Sequence, residues 1–122
     1  MPGIAKGWRA GAPRKDERMI RVAVLYPNKS GTKFKHDYYL SKHVPMVKKR
    51  LGTALVGVEI DRGIGTVAPG APAPYHAIGY MTFKTAEAFQ KAMGAHGPEL
   101  MADIPNYYSG QPEIQVSDVV MS

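Results

Sequence analysis

The 122-residue sequence contains no cysteine. Disulfide bridges and thiolate metal sites are thereby excluded, and the composition fits a reducing compartment. No stretch of about 18 apolar residues occurs, the length a membrane-spanning helix needs. The first residues also lack the apolar segment of a secretion signal, so a cytoplasmic location is the expectation. No glycine-rich phosphate loop, dinucleotide fingerprint or nucleophile elbow is present. The four histidines, His36, His43, His76 and His96, include no pair with the spacing of a metal-ligand motif. Neither a metal nor a cofactor is expected.

What the chain does have is positive charge, +6 in formal terms, which raises nucleic acid as a partner. Its distribution argues otherwise. Residues 1–18 carry five bases and two acids, and residues 19–122 carry eleven and eight. Half the excess thus lies in a segment without apolar periodicity. Lys29, Lys33 and Lys35 fall in a loop, and Lys48, Lys49 and Arg50 fall late in a helix, where cations are favoured. No recognition-helix, zinc-finger or RNA-binding motif accompanies them. Neither nucleic acid nor membrane is expected as a partner.

Residues 1–18 are rich in Gly, Pro, Ala and charge and read as a disordered extension. The folded domain is expected over residues 19–122. Residues 20–26 are β-rich and end at a Pro-Asn loop. Residues 36–51 predict a helix, because Tyr39, Leu40, His43, Val44, Val47 and Leu51 recur on one face. Pro45 predicts a kink or restart just after His43, since proline removes a helix hydrogen bond. Strands follow over residues 55–64 and 75–83, joined by a Pro- and Gly-rich connection. Thr85 can cap a second helix, which Gly97 and Pro98 are expected to break. The last strand is expected over residues 114–120.

The order βαββαβ is the α+β, ferredoxin-like arrangement, a four-stranded antiparallel sheet with helices on one face. In the first and third strands both alternating sets are apolar: Ile20, Val22 and Val24 against Ala23 and Leu25, then Ala77, Met81 and Phe83 against Ile78 and Tyr80. A sheet with one wet face carries polar residues at alternate positions. The uncovered face is therefore expected to meet a second copy, making a homodimer.

Three stretches carry a family resemblance: MIRVAVLYPNKSGTKFKHDYYLSKHVPMVKKRLG, APYHAIGYMTF and HGPELMADIPNYYSGQPEIQVSDV. Together they resemble the EthD family over about residues 19–120. The resemblance implies a dimeric α+β barrel in which two four-stranded sheets pack face to face. It also implies a metabolic setting, because the family is named for bacterial degradation of ethyl tert-butyl ether beside a haem monooxygenase system. Proteins of similar architecture include cofactor-free monooxygenases, lactone isomerases, decarboxylases and haem-degrading enzymes, so architecture alone does not fix a reaction.

Within that frame Tyr39-x-x-x-His43-x-Pro45 matches the family's aromatic-x-x-x-His-x-Pro signature. His43 is the candidate acid or base, since imidazole titrates near neutral pH. Tyr39, one helical turn earlier, shares its face, and Asp103 is the candidate carboxylate to orient it. These three are the candidate catalytic residues. Tyr38 points about 100° away on an ideal helix and should not face the same pocket. His76 and Tyr80 share one face of the third strand. With Tyr107 and Gln115 they are candidate ligand-binding residues if that face meets the helices; if it meets the second copy, His76 and Tyr80 are interface residues. Each polar group also has a structural reading: His43 tying down the broken helix, Asp103 and Asn106 supplying turn chemistry.

Three functions fit: an acid–base enzyme acting on a small oxygenated organic molecule, as in ether catabolism; a binding or accessory protein for such a metabolite; and a structural dimer without a ligand.

Overall fold

The computed structural model describes residues 18–122. The proposed extension thus lies outside the described residues except for Arg18, which pairs with Asp118 at 3.2 Å. Strand β1 (Ile20–Pro27) leads to a helical segment in three parts: α1 (His36–Tyr38), a π turn (Tyr39–His43) and α2 (Val44–Leu51). Strands β2 (Leu55–Arg62) and β3 (Tyr75–Phe83), helix α3 (Ala86–Asp103), a 3-10 turn (Ile104–Asn106) and strand β4 (Glu113–Asp118) complete the fold. The sheet order is β2-β3-β1-β4, and all neighbours are antiparallel. This is the ferredoxin-like fold.

The helices cover one face. Ile20, Val22 and Phe83 meet Val47, Leu51, Ala92 and Leu100 in one core cluster. Full burial of Phe83 is worth roughly 1.5–3 kcal/mol. A second cluster is aromatic, with Tyr26, Tyr39, Tyr107 and Tyr108 packed on Ala77 and Ile104. On the other face Arg21, Ala23, Leu25, Ile78, Tyr80 and Thr82 are half-buried. Arg21 Nε there is buried with no hydrogen-bond partner.

The expected interruption near Pro45 takes the form of the π turn. The Val44 N–H bonds the Tyr39 carbonyl, five residues back, before the α-helix resumes. Pro45 lacks an N–H and its ring crowds the preceding turn, and a wider turn there relieves the crowding. Ser41 Oγ adds a bond to the Asp37 carbonyl at 2.6 Å.

The expected break at Gly97–Pro98 is a correction: α3 runs through it to Asp103. Pro98 and Gly94, the residue four back, are both exposed. Water can satisfy the freed carbonyl, and glycine leaves room beside the ring. The Thr85 cap forms as expected, with the Ala88 N–H donating to Thr85 Oγ1 at 3.1 Å.

Candidate functional site

A cavity of about 100 Å³ lies between the sheet and the helices, where the two core clusters meet. Its wall is chiefly aliphatic, from Val22, Val24, Val47, Ile60, Leu100 and Ile104 among others. The polar side chains on it are Tyr26, Tyr39 and His43. An apolar cavity of about 150 Å³ holds a benzene-sized molecule, so this one suits a small ligand.

The π turn presents Tyr39 and His43 to the cavity together. Their rings stack at 5.8 Å with planes 18° apart. Gly79 on β3 makes room for Tyr39: a Cβ there would collide with the Tyr39 hydroxyl. His43 Nδ1 donates to Asp103 Oδ2 at 2.9 Å. The other ring nitrogen, Nε2, has no hydrogen-bond partner among the described residues, and the ring lines the cavity.

Asp103 closes α3 and lies behind His43, off the cavity. Its Oδ1 accepts from the Tyr38 hydroxyl at 2.8 Å and from Asn106 Nδ2 at 2.9 Å. Burial pushes this carboxyl up, but hydrogen bonds from His43, Asn106 and Tyr38 outweigh burial and hold it below 3.8. Burial lowers the His43 pKa from 6.5, and contact with Asp103 offsets this only in part. At neutral pH the pair is a neutral imidazole beside a carboxylate. The Nδ1–H bond fixes the tautomer, so the Nε2 lone pair is available. Burial also pushes the Tyr26, Tyr39 and Tyr107 phenols well above 10, so all three remain protonated donors.

The other expected residues lie elsewhere. Tyr107 is buried behind the cavity, its ring 4.7 Å from His43 and its hydroxyl 2.7 Å from that of Tyr26. Tyr80 borders the cavity between Gly79 and Met81. Strand alternation turns its side chain to the uncovered face, because Gly79 meets Tyr39 on the helix side. His76 lies apart from the cavity. The β1–β3 register shifts between Tyr26 and Pro27, opposite Ala77 and Tyr75, which leaves His76 in a bulge. It bonds Thr32 Oγ1 at 2.9 Å and stacks on Phe34. Gln115 also lies apart from the cavity. It pairs with Ala23, on the uncovered face, and donates to Ser117 Oγ at 3.1 Å.

Sequence reasoning missed Tyr26 and Gly79. Tyr26 shares the parity of Val22 and Val24 on β1 and could have been found from it. Gly79 gives no sequence signal apart from a glycine inside a strand. Tyr38 does point away from the cavity, yet it reaches the site by way of Asp103.

Residues 31–111 match the EthD domain. The chain belongs to the EthD family. An EthD-like protein from Ralstonia eutropha JMP134 is 40% identical over 87% of this chain and 96% of that one, with a TM-score of 0.81. An ethyl tert-butyl ether D (EthD) family protein from Bacillus halodurans C-125 is 17% identical, covers 81% and 96% of the two chains and has a TM-score of 0.64. A dimeric ferredoxin-like protein of unknown function from Thermobifida fusca YX is 12% identical over 86% and 94%, with a TM-score of 0.57. The last two support the fold alone. No curated protein matches the chain. The EthD match takes in Tyr38, Tyr39, His43, Gly79, Asp103 and Asn106, while β1 and β4 lie outside it. No helix among the described residues is long and apolar enough to cross a membrane.

Proposed function

We propose that this EthD-family protein is an enzyme that moves a proton on a small, uncharged, oxygen-bearing organic molecule. The observation behind the reading is the 2.9 Å bond from His43 Nδ1 to Asp103, which leaves Nε2 free on the wall of an apolar cavity. A base oriented by a carboxylate is the arrangement general base catalysis needs. His43 Nε2 takes the proton, and the Tyr39 hydroxyl donates to the substrate oxygen. The lining carries no ionised side chain, which favours neutral substrates.

The family's ether connection fits such a pocket in size. A plain ether offers no proton that imidazole can remove, so the substrates lie among oxygenated derivatives of ethers: alcohols, hemiacetals and carbonyl compounds. The protein acts as a homodimer through the uncovered sheet face. Ala23, Leu25, Ile78 and Tyr80, together with the unpartnered Arg21 Nε, support burial of that face.

A thermal-shift screen of small alcohols, hemiacetal-forming aldehydes, ketones, lactones and phenols tests the reading. It is run on the native protein and on His43→Ala. A compound that raises the native melting temperature but not that of the folded variant supports it. The hit's protons are then followed by NMR for exchange or conversion. Equal binding to both proteins, or no binding to either, overturns it, and binding without conversion leaves a carrier of such molecules.

A further inference from the structure

We infer that Tyr38 and Asn106 are positioning residues for His43, acting through Asp103. The inference rests on the proposed role of His43 as base, but its test does not require a substrate. Both donors converge on Asp103 Oδ1, at 2.8 and 2.9 Å, and His43 Nδ1 holds Oδ2 at 2.9 Å. The two carboxylate oxygens are thus divided between separate partners. With Oδ1 held by Tyr38 and Asn106, the carboxylate cannot rotate away from His43, so the ring keeps Nδ1 on Asp103 and Nε2 at the cavity.

The same two bonds have an electrostatic effect. A carboxylate with donors on one oxygen has less negative charge to offer at the other. It therefore holds an imidazolium less strongly, and His43 stays a neutral base at a lower pH. The other titratable groups near His43 are phenols: Tyr39 stacked on it, Tyr107 at 4.7 Å, and Tyr26 packed edge-on to both. Asp103 is the one carboxylate bonded to the ring among the described residues.

The arrangement has a local cause. Asp103 ends α3, and Asn106 follows three residues later in the 3-10 turn, which brings the two side chains together. Tyr38 comes from the other side, as the last residue before the π turn, and its ring stacks on Tyr107 at 6.1 Å with planes 20° apart. Two elements far apart in sequence thus meet on one carboxylate oxygen.

The test is an NMR titration of the His43 imidazole in the native protein, Tyr38→Phe, Asn106→Ala and the double variant. His43→Gln assigns the resonance among the four histidines. Each single variant should raise the His43 midpoint, and the double variant should raise it further. Asn106 is exposed, so its variant folds even if Tyr38→Phe does not. Midpoints that stay in place while melting temperatures fall would overturn the inference and reduce both residues to packing. In that case the proposed role of His43 would still stand or fall by the ligand screen.

Discussion

The bond from His43 to Asp103 joins the end of a π turn to the last residue of a helix 60 positions later in the chain. It is the contact through which two separate elements specify one imidazole orientation. Removing either partner has different consequences.

Asp103→Asn keeps the shape and removes the charge. An amide can offer its N–H to Nδ1, which turns the ring to the wrong tautomer and protonates Nε2. Turnover of any compound found in the screen should fall about 10²–10⁴-fold, the usual worth of a general base. His43→Gln should lose a similar factor. Steady-state rates on both variants, beside circular dichroism to confirm folding, check this; undiminished rates would remove the pair from the chemistry.

Acid should destabilise the protein in two stages. The folded-state pKa of His43 lies below 6.5, so the unfolded chain binds more protons as pH falls through that value. Stability is then level above 6.5 and declines below it. His36 and His76 are lowered too, in each case chiefly by burial, and add to the same slope. Asp103 is depressed below 3.8, so its contribution persists above that value and is lost as pH falls through the folded-state pKa. Melting temperatures measured from pH 8 to pH 4 should show the first decline near 6.5, shallower in His43→Gln. A flat profile down to pH 5 would contradict the assignment.

Gly79→Ala should destabilise by about 1–3 kcal/mol, the range for overpacking a core, because the new methyl meets the Tyr39 hydroxyl and Ile60 Cδ1. Tyr39→Phe in the same chain should recover part of the loss. Denaturant midpoints of the two single variants and the double variant give the coupling directly. Simple additivity would mean that Tyr39 is not seated over Gly79.

Tyr26→Phe leaves the buried Tyr107 hydroxyl without its 2.7 Å partner and should cost about 1–3 kcal/mol. Replacing both tyrosines should cost less than the sum of the single changes. Urea unfolding of the three variants would decide it.

The proposed dimer predicts a mass twice the 13.3 kDa of the chain by light scattering. A charge on the uncovered face, as in Tyr80→Asp, should shift that mass toward the monomer while leaving the helix-side cavity in place. A native protein that stays monomeric at micromolar concentration would end the proposal of a second copy on that face.

The sequence was most legible where periodicity and local chemistry act alone. The bounds of β3, the Thr85 cap and the shared face of Tyr39 and His43 all follow from spacing. Asp103 stood out as a carboxylate in a turn, but nothing local said it would reach His43, because that contact depends on how α3 crosses the sheet. His76 escapes simple alternation, which assumes an unbroken ladder, because one bulge residue shifts its parity. Gln115 could not be placed without knowing that it pairs with Ala23. The continuity of α3 through Pro98 depends on solvent at the freed carbonyl, which is a matter of orientation. Tyr38 turns from the cavity as helix geometry predicts, but its route back through Asp103 is a tertiary fact.

The π turn makes the site depend on the spacing of the chain as well as on its residues. Each residue advances an α-helix by about 100°, so deleting one position between Tyr39 and His43 would swing the imidazole out of line with the phenol while keeping every functional residue. A descendant of this protein could therefore retain Tyr, His and Asp intact and still have lost the pocket through a single missing codon.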